Sequence, residues 1–548
     1  MSFLAGFRVA IAGTAFLIAA TLGLVVAAAA PADTTDRWVD VQTGDDQSGD
    51  NDCSDPLLPC ATISQALEKS TGPDLVNIDE GTYFENLEVT NGQTLRHLDF
   101  VEGDAGIVIV DGGAGRAINV TETPGAEIIG LVIRGNEAGV AASVTVTVRE
   151  NVFDDPDADN MSAVELRAGA DGSVVTSNEL VDPDPSITRS RTGVYSVAAG
   201  VEISGNTIRG MNTGIDTRSF TGTEGPLIRD NDIKGTHHLP IAGRGIWAGA
   251  NARVVRNRIT DPMNENTSGI HAASDIVTDG NFISGHTRAI PVSAGNTVSL
   301  NNDVLVRNRY GVDVSDSAGD EHAKVSISNL TVWDSGVHGL GLAGEMIIDS
   351  SIFDSVTSYP GISFCSVTYS LGDLKFPVGY GCDDFGAIDD PMFVDPDNDD
   401  FSLRPDSPLI DAGNPAAPPG DGLAFNDVPR ALPGHLLCDV EIPARRDIGA
   451  YEFVPPLADC NPPNTKFQKK PKKKVKSKKV TFKLASTEPG STFECKLDKK
   501  KWKACAATVK VSVKPGKHTF RARAVDEAGN RDKSPAKFKF QRVKKKKK

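Results

Sequence analysis

Four motifs place side chains that are capable of chemistry directly after a glycine–aliphatic pair. They are Gly214-Ile215-Asp216, Gly245-Ile246-Trp247, Gly269-Ile270-His271 and Gly311-Val312-Asp313. A carboxylate can act as an acid or base, an indole ring can stack on a sugar, and an imidazole can transfer protons near neutral pH. Tyr195 follows a Gly–Val pair, and Arg218 lies two residues after Asp216. These six residues are candidates for a ligand surface or a catalytic site.

The motifs recur because the middle of the chain is an internal repeat. The pattern polar–Asn–x–(Ile/Leu/Val) returns at steps of 21 to 28 residues, and a serine takes the same slot in the last two copies. The slots are Asn151, Asn178, Asn206, Asn231, Asn257, Asn281, Asn302, Ser328 and Ser350. Between the turns, segments such as Lys324–Ser328 alternate polar and apolar residues, which is typical of β-strands. Three short strands per turn of about 25 residues predict an all-β parallel β-helix of about ten coils.

The asparagines have a structural role in such a coil. Stacked one coil above another, each amide can bond to the next and to turn backbone that would otherwise be buried without a partner. We therefore interpret Asn151 through Asn302 as a structural ladder and not as catalytic residues.

These features resemble the right-handed parallel β-helix repeat proteins of the pectin-lyase-like superfamily. The opening Trp38-Val-Asp-Val41, the segment Cys53 to Leu67 and Ile78-Asp-Glu-Gly-Thr-Tyr83 resemble the entry of secreted members, in which an amphipathic helix, here about 61–69, caps the open end. The stretches Asp390–Pro396, Ser407–Gly413 and Asp447–Glu452 resemble the closing segment of bacterial surface β-helices. The resemblance covers about 38–453, within a predicted β-helix domain of 33–453.

The resemblance implies where a ligand would lie. In β-helix lyases and hydrolases, substrate usually lies along the sheet that follows the insertion-rich turn, and here those strands begin at the glycine–aliphatic pairs. The residue after each Ile or Val then points outward, and coils stacked ~4.8 Å apart align these residues in one column. The column is Tyr195, Asp216, Trp247, His271, Pro291, Asp313, Gly341 and Ser363.

Two classes of function remain open. The first is a non-catalytic extracellular or surface β-helix that contacts glycans, and the second is a polysaccharide lyase or glycoside hydrolase. Asp216 and Asp313 lie four coils apart, about 19 Å, which is too far for an acid/base pair at about 5–10 Å. The polygalacturonase and pectate lyase signatures are also absent. A catalytic site would therefore have to be one that these signatures do not describe.

Calcium is the metal to which the sequence points. Asp395, Asp397 and Asp399 alternate in one loop, but Asp400 stands where an EF-hand loop needs glycine. The sequence leaves only a loose extracellular site there.

The N-terminus and the cysteines predict secretion. Arg8, an apolar run over 9–26 and small residues up to Ala32 have the form of a signal peptide, which we place at 1–30. A retained membrane anchor is the alternative. Eight cysteines in a secreted chain indicate disulfides, and neighbours in sequence pair as Cys53 with Cys60, Cys365 with Cys382, Cys438 with Cys460 and Cys495 with Cys505.

The C-terminal part of the chain has a different composition. Residues 461–548 hold 30 Lys and Arg against 6 Asp and Glu, a net charge of +24, whereas residues 1–460 hold 27 against 67, a net charge of −40. Residues 454–479 are rich in proline and lysine and are predicted to be a linker. Residues 480–543 contain short alternating segments and resemble an immunoglobulin-like module appended to bacterial secreted proteins, followed by the lysine tail 544–548.

The basic charge predicts a polyanionic partner: cell-wall polymer, acidic polysaccharide or lipid headgroups. Nucleic acid is not expected, because no pattern of stacking aromatics accompanies the lysines.

Overall fold

The computed structural model describes most of the chain between residues 35 and 544. The described ranges are 35–47, 49–98, 108–154, 162–182, 191–220, 222–235, 243–261, 267–314, 322–335, 338–342, 344–358, 364–374, 385–387, 390–416, 423–430, 432, 445–455, 461–526 and 529–544. The predicted signal peptide, Ser363, Cys382, Cys438, Cys460 and the end of the lysine tail lie outside them. Within these ranges, no helix is long and apolar enough to cross a bilayer.

The main body is a parallel β-solenoid with three sheets. The chain passes through them in order, for example from Ala252–Val255 to Arg258–Thr260 to Ser268–Ala272, and then returns to the first sheet at Ile276–Asp279. Each strand pairs in parallel with its equivalent one coil away. The predicted all-β parallel β-helix is therefore confirmed.

The first sheet has 14 strands, and it extends on both sides of the coils that the repeat marks. Its strands are Asp36–Val39, Leu75–Ile78, Thr94–His97, Ala126–Ile129, Val146–Arg149, Val174–Thr176, Glu202–Ser204, Leu227–Arg229, Ala252–Val255, Ile276–Asp279, Thr297–Asn301, Lys324–Ser328, Glu345–Asp349 and Phe364–Thr368.

The second and third sheets alternate along the chain after each first-sheet strand. The second sheet consists of Gly81–Tyr83, Val108–Asp111, Val132–Arg134, Val152–Phe153, Glu179–Val181, Thr207–Arg209, Asp232–Lys234, Arg258–Thr260, Phe282–Ser284, Val304–Val306, Thr331–Trp333, Ile352–Ser358 and Leu371–Leu374. The third consists of Leu87–Val89, Arg116–Val120, Ala138–Ala142, Ser162–Leu166, Thr192–Ser196, Thr213–Asp216, Arg244–Ala248, Ser268–Ala272, Arg288–Val292, Tyr310–Val314 and His338–Leu342, and Ile352–Ser358 pairs with both sheets.

The glycines of the central glycine–aliphatic pairs at Gly193, Gly214, Gly245 and Gly269 are required by close packing inside the solenoid. A Cβ on Gly245 would lie 2.4 Å from Ile259 and 2.7 Å from the carbonyl oxygen of Gly269. Gly269 is equally restricted by Ile283, at 2.3 Å. In these two coils only glycine leaves room for the second-sheet isoleucines to fill the interior.

Asparagines stack in the turn between the first and second sheets. The backbone N–H and Nδ2 of Asn257 donate to Oδ1 of Asn281 at 2.9 and 3.0 Å, and Oδ1 of Asn257 accepts the equivalent bonds from Asn231. Nδ2 of Asn257 also donates to the Ile228 carbonyl at 2.9 Å. The same bonds link all six rungs of this amide ladder: Asn151, Asn178, Asn206, Asn231, Asn257 and Asn281.

The structure corrects the seventh rung. Asp303, and not Asn302, accepts the bonds from Asn281, at 2.7 and 2.8 Å. Asn302 is the residue before it, in the left-handed conformation with φ of 54°. A residue with positive φ precedes every rung of the ladder, because the chain turns sharply there.

The two serine slots are also displaced, the first by two residues and the second by one. The equivalent positions are Leu330 and Ser351, and not Ser328 and Ser350, since the Leu330 N–H donates to Oγ of Ser351 at 3.0 Å. Ser350 has a φ of 50° and therefore occupies the position before the slot.

The N-terminal end carries the expected cap. A helix spans Ile63–Lys69, begins after Thr62, whose side chain accepts from the Gln65 N–H, and buries Ile63, Ala66 and Leu67. The Cys53–Cys60 disulfide closes the loop that leads into this helix. Cys365 is also disulfide-bonded, but its predicted partner lies outside the described residues.

The described parts of the closing segment, within residues 390–453, pack on the outward face of the second sheet. An antiparallel hairpin pairs Phe393–Asp395 with Asp400–Leu403 around a 3-10 turn at Pro396–Asn398. Phe393 and Phe401 form a hydrophobic cluster with apolar side chains on the outward face of the second sheet. They are Phe282, Val304, Val306 and Ile352.

The C-terminal module contains two small sheets that share one hydrophobic cluster. The three-stranded sheet consists of Thr465–Lys469, Lys479–Ser486 and Thr508–Ser512, and the five-stranded sheet of Lys474–Val475, Ala536–Arg542, Gly516–Val525, Thr492–Leu497 and Lys503–Cys505. Phe482 stacks on Phe520 with ring centroids 4.1 Å apart, and Cys495 is bonded to Cys505. Because Thr465–Lys469 and Lys474–Val475 lie within the predicted linker, the module begins earlier than residue 480.

Candidate functional site

The third sheet aligns the candidate column. Tyr195 is paired with Asp216, Asp216 with Trp247, and Trp247 with His271 on successive coils. Farther along, Asp313 is paired with Pro291 on one side and Gly341 on the other. Ser363, the last predicted member, lies outside the described residues.

The same strands carry a second outward column that the sequence analysis missed. Arg244 is paired with Ser268, Ser268 with Arg288, and Arg288 with Tyr310. In Arg244–Ala248 the two central residues Gly245 and Ile246 are both buried, whereas Arg244 and Trp247 are partly exposed. The outward residues are therefore three apart. Strict alternation from Trp247 would have placed Gly245 outward, so it overlooks the residue before each glycine.

Trp247 lies between two guanidinium groups. The Cζ atoms of Arg218 and Arg244 each lie 3.6 Å from the centre of the indole ring. Two guanidinium groups this close to the ring centre would overlap on one face, so they lie on opposite faces of the ring. His271 approaches the ring from the next coil, at 5.5 Å between centroids. The indole N–H is buried and has no acceptor among the described residues. The expected role of Trp247 as a sugar-stacking ring is therefore corrected: arginines occupy its faces, and cation–π attraction holds them in place.

Asp216 is largely covered by its neighbours. The residue is only 5% exposed, and its carboxylate lies 3.3 Å from Nε of Arg218. Burial raises the pKa of Asp216, although the Arg218 N–H and the Arg218 and Arg244 charges oppose this shift. Its main geometric effect is to orient Arg218 above Trp247.

His271 is held in its neutral form. Burial and the positive charges of Arg244, Arg288 and Arg218 lower the pKa of His271 to about 4. A neutral imidazole among arginines can accept or donate a hydrogen bond at physiological pH. It is not an imidazolium there, so it cannot act as a general acid.

The cationic surface continues two coils farther. Nε of Arg288 lies 2.8 Å from the Asp313 carboxylate, and the Arg288 and Arg309 guanidinium groups lie 5.9 and 5.6 Å from the Tyr310 ring centre. We call Arg218, Arg244, Arg288 and Arg309, together with Trp247, His271 and Tyr310, the arginine face.

The aspartates of the closing hairpin do not form the expected calcium site. Asp399 accepts from Arg307 and lies 3.3 Å from Arg258, while Asp395 accepts from the Asn398 amide. The residues that the structure describes contain no group of three or more His, Cys, Asp or Glu arranged to hold a metal. Asp399 instead ties the hairpin to two second-sheet coils.

Comparisons with known proteins give likeness of fold only. No protein-family model matches the sequence, and no curated protein does. Among solved structures, a mannuronic acid specific polysaccharide family 6 lyase from human gut microbiota is similar at 11% identity and a TM-score of 0.38, covering 61% of this chain and 90% of that one.

Two further solved structures are similar at the same low level. The Azotobacter vinelandii mannuronan C-5 epimerase AlgE4 A-module has 12% identity and a TM-score of 0.31, covering 58% of this chain and 92% of that one. A rhamnogalacturonan lyase has 11% identity and a TM-score of 0.26, covering 66% and 90%. Likenesses at this level say nothing about what this chain binds or catalyses, and the assignment of the solenoid rests on its own strand pairing.

Proposed function

We propose that the arginine face binds an anionic glycan without cleaving it, in a protein that acts outside the cell or at its surface. The observation that carries this proposal is the Arg218–Trp247–Arg244 stack. It fixes two guanidinium groups on a rigid sheet, and guanidinium groups bind carboxylates and sulfates through paired, charge-assisted hydrogen bonds.

The charge distribution favours an anionic ligand at this place. Residues 1–460 carry a net charge of −40, so the body as a whole repels anions. Among the described residues, the arginine face and its ion-pair partners combine four guanidinium groups with two carboxylates, Asp216 and Asp313. Such a local reversal of charge concentrates an anionic chain at the face. Coils repeat every ~4.8 Å along the sheet, so an extended polymer that lies along the axis meets one coil after another.

The contacts of the candidate acids and bases favour binding over cleavage. Asp216 and Asp313 are each paired with an arginine, and four coils separate them. The neutral His271 lies two coils from Asp216, about 10 Å, with Trp247 on the coil between them. A lyase or hydrolase remains the alternative outcome of the test below.

We further propose that the C-terminal module is an immunoglobulin-like sandwich that attaches the protein to a polyanion such as cell-wall polymer. Its shared hydrophobic cluster and its charge of +24 over 461–548 support this role. The groove formed by Lys473, Lys474, Lys517 and Lys539 offers a concentrated patch of positive charge.

A glycan array with the full-length chain tests the function of the arginine face. We expect uronic acid and sulfated oligosaccharides to bind, and Arg244→Ala to weaken binding at least 10-fold. Lys324→Ala, which removes an exposed positive charge from the first sheet, should change little. Equal binding of neutral glycans would contradict the proposal.

A cleavage assay decides between the two classes of function. The glycans that bind are incubated with the protein, and reducing ends and unsaturated products are measured. We expect neither. Product that forms with the wild type and is lost in Asp216→Asn or His271→Ala would assign the face to a hydrolase or lyase instead.

A further inference from the structure

A cavity of about 230 Å³ lies between the outward face of the first sheet and the closing segment. Its floor includes Arg253, Asp279 and Asn301, and its roof includes Arg430 and Arg446. We propose that this closing-segment crevice binds a small oxyanion, a phosphate or the carboxylate of an acidic sugar. It lies on a different sheet from the arginine face and is independent of the function proposed for that face.

The charges that line the crevice are unbalanced. Among the described residues, its lining contains three arginines, Arg253, Arg430 and Arg446, and one acid, Asp279. The Asp279 carboxylate already accepts a hydrogen bond from Asn302 Nδ2 at 2.7 Å. The exposed Arg253 therefore supplies the positive charge that is most accessible to a ligand.

Two polar atoms in the lining are buried without partners. Arg430 is 4% exposed and donates through its terminal nitrogens to the carbonyls of Gly449 and Ala450, yet its Nε has no acceptor among the described residues. Oδ1 of Asn329, which is 5% exposed, has no donor either. The orientation of an asparagine amide is assigned from its partners, so Asn329 can present its NH₂ group to an anion. Buried polar atoms without partners are rare in native proteins and call for an explanation.

Arg430 keeps its charge despite its position. Burial lowers the pKa of Arg430 to about 10, which still leaves the guanidinium protonated at neutral pH. Glu452 lies 3.9 Å away and offsets part of this charge, but both Glu452 oxygens already accept backbone N–H groups, from Leu432 and Asp447.

Arg253 lines the part of the crevice that is accessible to solvent. It is exposed on the first sheet, and its guanidinium has no hydrogen bond or ion pair with any residue in the described ranges. Val255 and Val277 beside it provide an apolar floor. The volume corresponds to about eight waters at roughly 30 Å³ each, enough for a phosphate or for one acidic sugar ring.

Calorimetric titration of the full-length chain tests this site. Inorganic phosphate and galacturonate are titrated separately, at constant ionic strength balanced with sodium chloride. We expect saturable binding of at least one probe, and the probe that binds distinguishes the two sources of oxyanion. Arg253→Ala should weaken binding at least 10-fold, because it removes a charged donor from an exposed position without disturbing the core.

Two further variants test whether the binding occurs in the closing-segment crevice. Lys324→Ala removes a charge from the same sheet outside the crevice and should leave the affinity unchanged. In an Arg244→Ala background, which disrupts the arginine face, the response should persist. Absence of saturable binding with both probes, equal affinity in Arg253→Ala, or loss of all binding in Arg244→Ala would each overturn the proposal.

Discussion

Asp303 occupies a rung of the amide ladder where the six preceding rungs are asparagines. It accepts two bonds from Asn281 and one from the Thr278 hydroxyl, and it is fully buried. Burial raises the pKa of Asp303 to about 7, although these hydrogen bonds oppose the shift. A carboxyl group in an amide position is thus tolerated mainly in its protonated form.

This position predicts a pH-dependent contribution to stability. An aspartate with a pKa of about 3.9 when unfolded and about 7 when folded stabilises the fold fully below pH 4. That stability is lost as the pH rises to 7. Asp303→Asn should therefore raise the free energy of unfolding at pH 8 and change it little at pH 4, as measured by denaturant titration. Asp447, whose pKa burial also raises to about 7, should leave part of the pH dependence in the variant. A variant that loses stability at pH 8 would contradict this account.

A neutral rung should be sensitive to loss of its amide. Asn257→Leu keeps the volume but removes the acceptor used by Asn231 and the donor to the Ile228 carbonyl. Each buried group left without a partner costs roughly 1–3 kcal/mol, so the melting temperature should fall by several degrees. Arg258→Ala is the control: its exposed ion pair with Asp399 is worth at most about 1 kcal/mol. If Arg258→Ala proved the more damaging change, the ladder would not be the main support of this turn.

At the scale of elements, the sequence predicted the solenoid because its pattern is local. Inward aliphatic residues, close-packed glycines and asparagine rungs recur in most of the central coils, and a repeat identifies the fold without long-range information. The prediction failed where a distant segment intervenes. The strand Val304–Val306 is buried at all three residues because Phe393 and Phe401 cover its outward face. Alternation is therefore absent there, and because Val304 is apolar the repeat pattern fits Asn302, one residue before the true rung at Asp303.

The alternation rule also fails to identify Arg244 as an outward residue. Alternation breaks at the second residue of Arg244–Ala248, where Gly245 is buried next to the buried Ile246, so a rule based on a period of two finds Trp247 and overlooks Arg244. The stacking of both arginines on one indole ring depends on side-chain packing between coils, which no spacing in the sequence specifies.

The closing hairpin should protect the apolar outward patch of the second sheet. Phe401 is fully buried against Phe393, with ring centroids 5.2 Å apart. Phe401→Ala should cost about 3–5 kcal/mol and increase the binding of a hydrophobic dye, because Phe282 and Val304 become exposed. Val394→Ala, at a residue that is 50% exposed on the same hairpin, should do neither. Unchanged dye binding in a destabilised Phe401→Ala would show that the hairpin does not shield this patch.

At the scale of the whole molecule, two bodies of opposite charge are joined by a short connection. The solenoid with its closing segment ends near residue 453, and the first strand of the basic module begins at Thr465. Each body has its own hydrophobic clusters among the described residues. We therefore expect each to keep its fold when the connection is cut.

A protease site inserted between Cys460 and Thr465 tests this division. Cutting there leaves the predicted Cys438–Cys460 disulfide within the solenoid fragment and every described strand of the module in the other. On a dextran sulfate column, the basic fragment should be retained and should elute at higher salt than the uncut chain, because the net charge of −40 on the body no longer opposes its +24. The solenoid fragment should elute at lower salt than the basic fragment, because its arginine face offers only a local excess of positive charge, and it should retain its β-rich circular dichroism. Elution of both fragments together after cleavage, or aggregation of the solenoid fragment, would show that the two bodies depend on each other for folding.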